Sequence, residues 1–180
     1  EILQNNRVTQ AMKKGCTKKV LGMLEKMSKD EPEKYQTFWS QFGNVMKEGP
    51  AEDYSNSEAI AKLLRFASTH NDSDVQNVSL EDYVSRMKEK QKNIYYLISD
   101  SYKAAANSAH LEILKSKGIE VLLMWDKVDE WLMSNMRDFQ DKKFVSALSD
   151  DLDLGELVDE ADKKSNEEKT KENEPVLKRF

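Results

Sequence analysis

The chain has 180 residues, 34% charged and 38% hydrophobic, which fits one or two globular units. No run approaches the ~18 apolar residues of a membrane-spanning helix, and the single cysteine, Cys16, excludes an internal disulfide framework and suits a reducing compartment, where it is expected as a small buried or half-buried hydrophobe. The net charge of -5 is uneven: residues 151–180 hold 10 acidic and 6 basic residues and carry most of it, as expected of a near-neutral body with a charged tail.

Residues 7–29 read as a helix with Val20, Leu21, Leu24 and Met27 on one stripe. Its other side is basic, with Arg7, Lys13, Lys14, Lys18, Lys19, Lys26 and Lys29 against Glu25. Such a run is ordinarily a solvated face. The alternative is a phosphate- or nucleic-acid-binding module, but no aromatic residues interleave with the lysines to stack bases, and the negative net charge disfavours it. Asp30, Glu31 and Pro32 start a second helix. Tyr35, Phe38, Trp39, Phe42, Val45 and Met46 give it a broad aromatic stripe, and Gly49–Pro50 is expected to end it. Together the two helices predict an antiparallel coil.

Further on, Ser57 can cap a short helix bearing Ile60, Leu63 and Leu64. A short strand at 65–68 and a polar loop at 69–78 follow. Ser79 and Asp82 have capping-box spacing ahead of another helix. Residues 93–99 and 119–125 are near-continuous apolar, β-rich runs and read as buried strands. Between them a helix is predicted over 101–117, stopped by Gly118. Asp126 is expected to cap a helix running to about Phe139, and 144–148 reads as a last strand. Helices alternating with strands apolar on both faces predict an α/β fold: a small three-layer αβα unit with a mainly parallel sheet. The expected organisation is a helical coil over 1–55, the αβα unit over 56–148 and a charged linker over 149–180.

Catalytic signatures are scarce. The chain has no Gly-rich phosphate loop, no CxxC, no HExxH and no GxSxG. His70 and His110 are not spaced as metal ligands with Cys16, so no metal site is expected. The unusual element is VLLMWDKVDEWLMSNM, which gathers Met124, Trp125, Trp131, Met133 and Met136. Val128, Trp131 and Leu132 share a side that should dock on the sheet. Glu130, Met133 and Ser134 turn differently and should in part face outward, and exposed Trp and Met suit adaptable contacts.

EILQNNRV, KYQTFWSQFGNVMKEG, EAIAKLLRFASTH, SLEDYVSRMKEKQKNIYYLISDSYKAA and KGIEVLLMWDKVDEWLM, in this order and spacing, resemble the bacterial branch of the ninety-kilodalton heat-shock chaperone family. The likeness runs from Glu1 to about Phe144. It implies the second half of the middle domain of a three-part, ATP-dependent, dimeric cytoplasmic chaperone. The implied partners are partly unfolded clients, the N-terminal ATPase domain and the C-terminal dimerisation domain, with neither membrane nor nucleic acid among them. The family's catalytic loop reads Ser-Arg-Glu, any residue, Leu-Gln. Glu1, Leu3 and Gln4 match it, and the arginine that stabilises the transferring phosphate would stand just before Glu1. Residues 1–180 are therefore expected to be monomeric and to hydrolyse no ATP. Gln4 keeps only a supporting place, and ATP and Mg belong to the full-length protein. On the DEWLMSN helix, Glu130 and Trp131 match the family's client-contacting positions. Ser134 stands where close relatives carry asparagine, Met133 lies beside it, and Trp125 replaces a small polar residue and could extend the surface.

Overall fold

The structure, a computed structural model, describes residues 6–149 and Leu152. Gln4 and nearly all of the expected linker 149–180 lie outside the described residues. Helix α1 (Arg7–Asp30) begins at Asn6, whose side chain accepts a hydrogen bond from the Val8 amide at 3.2 Å. Helix α2 (Pro32–Glu52) follows after the single residue Glu31, with proline in its first turn. The two fold back on one another, with Leu24 of α1 and Tyr35 of α2 closing on Leu63.

Next come α3 (Ser57–Ala61), β1 (Ala67–Ser68), α4 (Leu80–Arg86), β2 (Asn93–Ile98), α5 (Tyr102–Ala106), α6 (His110–Ser116), β3 (Val121–Met124), α7 (Asp129–Asn135), β4 (Asp138–Phe139) and β5 (Lys142–Ser146). The five strands form one sheet in the order β1-β3-β2-β5-β4. Alternation along the strands sends side chains to two layers. Ile94, Leu122 and Met124 meet Trp39, Ile60, Tyr83 and Leu132 on one face. Tyr95, Leu97, Val121 and Leu123 meet Ala105, Leu111 and Leu114 on the other. The fold is therefore α/β with helices on both faces, as the apolar runs imply.

The sheet is mixed rather than mainly parallel. β2 runs parallel to β3 and β5, while β1 and β4 pair antiparallel at the edges. The unexpected strand β4 exists because Gln140 and Asp141 both take positive φ, 49° and 62°, and turn the chain straight back into β5. The helix predicted over 101–117 is two, α5 and α6. Asn107 donates its side-chain amide to the Lys103 carbonyl at 2.8 Å, a local bond that competes with helix continuation. Gly118, at φ 62°, stops α6 as expected. Ser79 and Asp82 form the full capping box of α4. Conversely, α2 does not stop at Gly49–Pro50: Pro50 is buried and Gly49 would set a side chain against Ile60, so tertiary packing carries the helix one turn further.

Cys16 is exposed, not buried, because α1 packs only through its second half. On α2 the buried row is Tyr35, Trp39, Gly43, Lys47 and Pro50, whereas Phe42 and Val45 are 53% and 63% exposed. A Cβ on Gly43 would lie 2.9 Å from the Trp39 ring, so glycine lets the indole lie flat along the helix.

Lys47 is 1% exposed and its ammonium donates to Asp126 Oδ2 and Asp129 Oδ1, each at 2.7 Å. Its Nζ also sits 5.3 Å over the Phe66 ring. This node joins α2 to the β3–α7 turn. Lys47→Met alone should leave Asp129 without a countercharge and cost about 3–5 kcal/mol. The double variant Lys47→Met with Asp129→Asn should recover much of that loss, since both buried charges leave together. Urea unfolding of the three proteins checks this, and equal stability of the single variant and the parent would contradict it.

Candidate functional site

α7 is a short helix pinned along one side. Leu132 and Met136 enter the core and Asp129 has no exposed surface. Asp129 does more than pair with Lys47: its Oδ2 accepts the Asp126 amide at 2.8 Å, closing the turn that leads into the helix. The capping role expected of Asp126 is not filled: Val128 precedes the first turn without a side-chain cap, and α7 spans Asp129–Asn135 rather than 126–139. Asp126 faces the other way. Its Oδ2 also accepts from Gln76 Nε2 at 2.9 Å, and Gln76 Oε1 accepts from Trp39 Nε1 at 3.0 Å. The chain from Trp39 through Gln76 and Asp126 to Lys47 ties α2, the 70–78 loop and α7 together.

Burial works against the Asp126 carboxylate, yet the hydrogen bond and charge of Lys47, with help from Gln76, outweigh it and hold the group below its ordinary value. For Asp129 burial dominates and keeps the carboxyl above its ordinary value, against Lys47 and the Asp126 amide.

The opposite side of α7 faces water. Glu130, Trp131, Ser134 and Asn135 share it, with Trp131 39% exposed. Trp131 therefore does not dock on the sheet beside Leu132, because the arc that Asp129, Leu132 and Met136 bury leaves position 131 on the far side. Ser134 donates its hydroxyl to the Glu130 carbonyl at 2.8 Å, and Asn135 its amide to the Trp131 carbonyl at 2.7 Å. These back-bonds keep the polar groups against the helix and leave the indole as the large feature of the face. Met133 is half-buried and packs on the core, so it borders the face rather than forming it.

Trp125 lies elsewhere. It follows the last residue of β3, half-buried, with the Tyr102 ring edge-to-face at 5.5 Å. It walls a cleft of about 370 Å³ between α2 and the 74–76 loop, with Gln36, Asn44, Asp74 and Asp126. So Glu130, Trp131 and Ser134 come together, while Trp125 belongs to a second feature. Sequence reasoning missed Lys47, Gln76 and Asp129. The signal for Lys47 was present: it stands in register with Tyr35, Trp39 and Gly43 at four-residue steps, where a solvated residue is out of place.

The basic residues of α1 are exposed, and of them Lys29 pairs with Glu25 at 2.7 Å. Among the described residues no helix is long and apolar enough to cross a membrane. Nor does any group of three or more His, Cys, Asp or Glu there have the makings of a metal site.

Residues 1–180 match the family described as Hsp90 protein. The chain is 59% identical over 180 residues to the chaperone protein HtpG of Shewanella denitrificans. It is 57% identical over 180 residues to the chaperone protein HtpG of Pseudoalteromonas translucida. All of this chain is covered in both cases, and it spans 28% of the length of each relative.

The Asp126 geometry predicts a pH effect. A carboxyl held below its unfolded value adds stability that is present above the unfolded pKa and lost as pH falls through the folded one. Asp126→Asn should therefore be less stable than the parent at neutral pH, with the gap closing between about pH 5 and 3. Urea midpoints across that range test it, and a gap independent of pH would contradict it.

Proposed function

This chain belongs to the Hsp90 protein family, and on that premise we propose that it is the later half of the middle domain of an ATP-dependent chaperone, holding partly folded client polypeptide on the outward face of α7. The observation that carries the reading is an exposed Trp131 on a helix whose other side is pinned by a buried ion pair. A rigid aromatic ring costs little side-chain entropy to present, and one exposed ring among polar neighbours suits weak, varied contacts. Glu130 adds an acidic edge for basic segments of a client. Ser134, its hydroxyl folded back on the helix, leaves the ring accessible. Met133, at the border, can yield to a client side chain.

On this reading residues 1–55 are the end of the catalytic-loop segment and the coil, 56–148 the client-holding αβα unit, and 149–180 the lead toward the dimerisation domain. The full-length protein is a cytoplasmic homodimer that couples client binding to ATP hydrolysis. Gln4 supports the catalytic loop there. ATP and Mg²⁺ do not fit the described residues, which offer neither a Gly-rich phosphate cradle nor a carboxylate cluster of metal-binding type. Both are proposed to bind elsewhere in the full-length protein, and no catalytic step is assigned to this chain.

Titrating a labelled, partly folded client into the chain should shift the backbone amides of α7. Trp131→Ala, which removes an exposed ring and should stay folded, should weaken binding by about tenfold, the scale of one aromatic contact of about 1.4 kcal/mol. Equal binding by both proteins would move the client surface off α7. In the same preparation, phosphate release from ATP should stay at background. Turnover that co-purifies with the protein would overturn that assignment.

A further inference from the structure

The cleft walled by Trp125 lies apart from the outward face of α7, and its chemistry is one-sided. Its floor is already hydrogen-bonded: Trp39 donates to Gln76, Gln76 donates to Asp126, and Lys47 donates to Asp126 from behind. Gly43 lets the Trp39 ring lie low enough to serve as that floor. The rim is not satisfied. Asp74 lines the cleft and is exposed, and it takes part in none of the ion pairs among the described residues. No lysine or arginine lines the cleft. The negative field reaches the aromatic wall, because partial burial and then the charges of Asp72 and Asp74 hold the Tyr102 hydroxyl above its ordinary value, and Tyr102 stands against Trp125.

An aromatic wall beside an unpaired carboxylate, in a concave site without a resident cation, is the arrangement that attracts a positive group. Amide side chains at Gln36 and Asn44 add neutral acceptors around it. We propose that this cleft takes a cationic side chain of an extended polypeptide, arginine in preference to lysine, with the guanidinium against Trp125 and paired to Asp74. Arginine is favoured because its flat, weakly hydrated head stacks on a ring and pairs with a carboxylate at once. The proposal rests on the reading of this chain as a client-holding unit. It assigns the cleft a selectivity of its own: an arginine stacked and paired there is read apart from the side chains held around Trp131.

The test uses the 180-residue chain and two small probes, acetyl-arginine amide and its neutral near-isostere acetyl-citrulline amide, followed by the indole N–H signal of Trp125. A Trp125→Phe variant assigns that signal. Arginine should give a saturable shift at Trp125, citrulline a response about tenfold weaker. Asp74→Asn changes an exposed loop residue without touching the core, so it should fold and lose the preference for arginine. Trp131→Ala should keep it. A citrulline response equal to that of arginine, an unmoved Trp125, or an undiminished preference in Asp74→Asn would each overturn the proposal. The two readings fail separately: a client that leaves α7 unmoved while arginine still fills the cleft breaks the client assignment and leaves the cleft standing.

Discussion

An ammonium group sealed from water must find its countercharges within bonding distance, and Lys47 finds two, at 2.7 Å each. One belongs to the loop that leaves β3 and the other to the first turn of α7. Because both acceptors lie about eighty residues further along the chain, the pair cannot form until α2 is seated on the sheet. Once formed, it leaves α2 little freedom to slide or rotate, since a displaced Lys47 would leave the Asp129 carboxylate without a countercharge. Hydrophobic contact between Trp39, Ile60 and the sheet supplies the bulk of the attraction. The ion node and the Trp39–Gln76–Asp126 chain supply direction, as buried polar networks do when every member is paired. No buried side-chain polar atom among the described residues lacks a partner.

This constraint shapes the outward face of α7, the proposed client surface. A seven-residue helix has little stability of its own. α7 is held by Asp129 at its start and by Leu132 and Met136 along its length, so Glu130, Trp131 and Ser134 are carried on a fixed platform. A client-holding surface gains from such rigidity, because ordering the ring is not charged against each binding event. The same node closes the floor of the Trp125 cleft, so the two surface features share one support while presenting different shapes, one an outward indole among polar groups, the other a narrow anionic cleft.

Much of the architecture could be read from the residues. The two long helices starting at 7 and 32, strands within 93–99 and 119–125 and the capping box at Ser79 follow from periodicity, proline placement and β-branched runs, whereas the continuation of the second helix past Gly49–Pro50 does not. The hairpin β4–β5 was hidden because Gln140 and Asp141 are not a typical turn pair, and only the backbone reveals their positive φ. Asn107 split a helix through a local bond that periodicity ignores. On α7, family resemblance singles out Glu130 and Trp131 as candidates. The exposure of Trp131 was not legible, since a helical wheel over so short a segment cannot tell which arc the sheet covers. Lys47 was passed over because a lysine is normally read as solvent-facing. Its partners lie far away in sequence, and a single chain gives no sign of such a pairing beyond the register of one misplaced charge.

The central claim is that the Lys47 node holds α7 in place, and amide hydrogen exchange of the parent chain and of Lys47→Met tests it most directly. The account predicts that protection falls first and most steeply at α7 and the second half of α2, while the amides pairing β2 with β3 keep a larger share of theirs. Loss of protection spread evenly over sheet and helices, or an α7 that exchanges as slowly as in the parent, would contradict it.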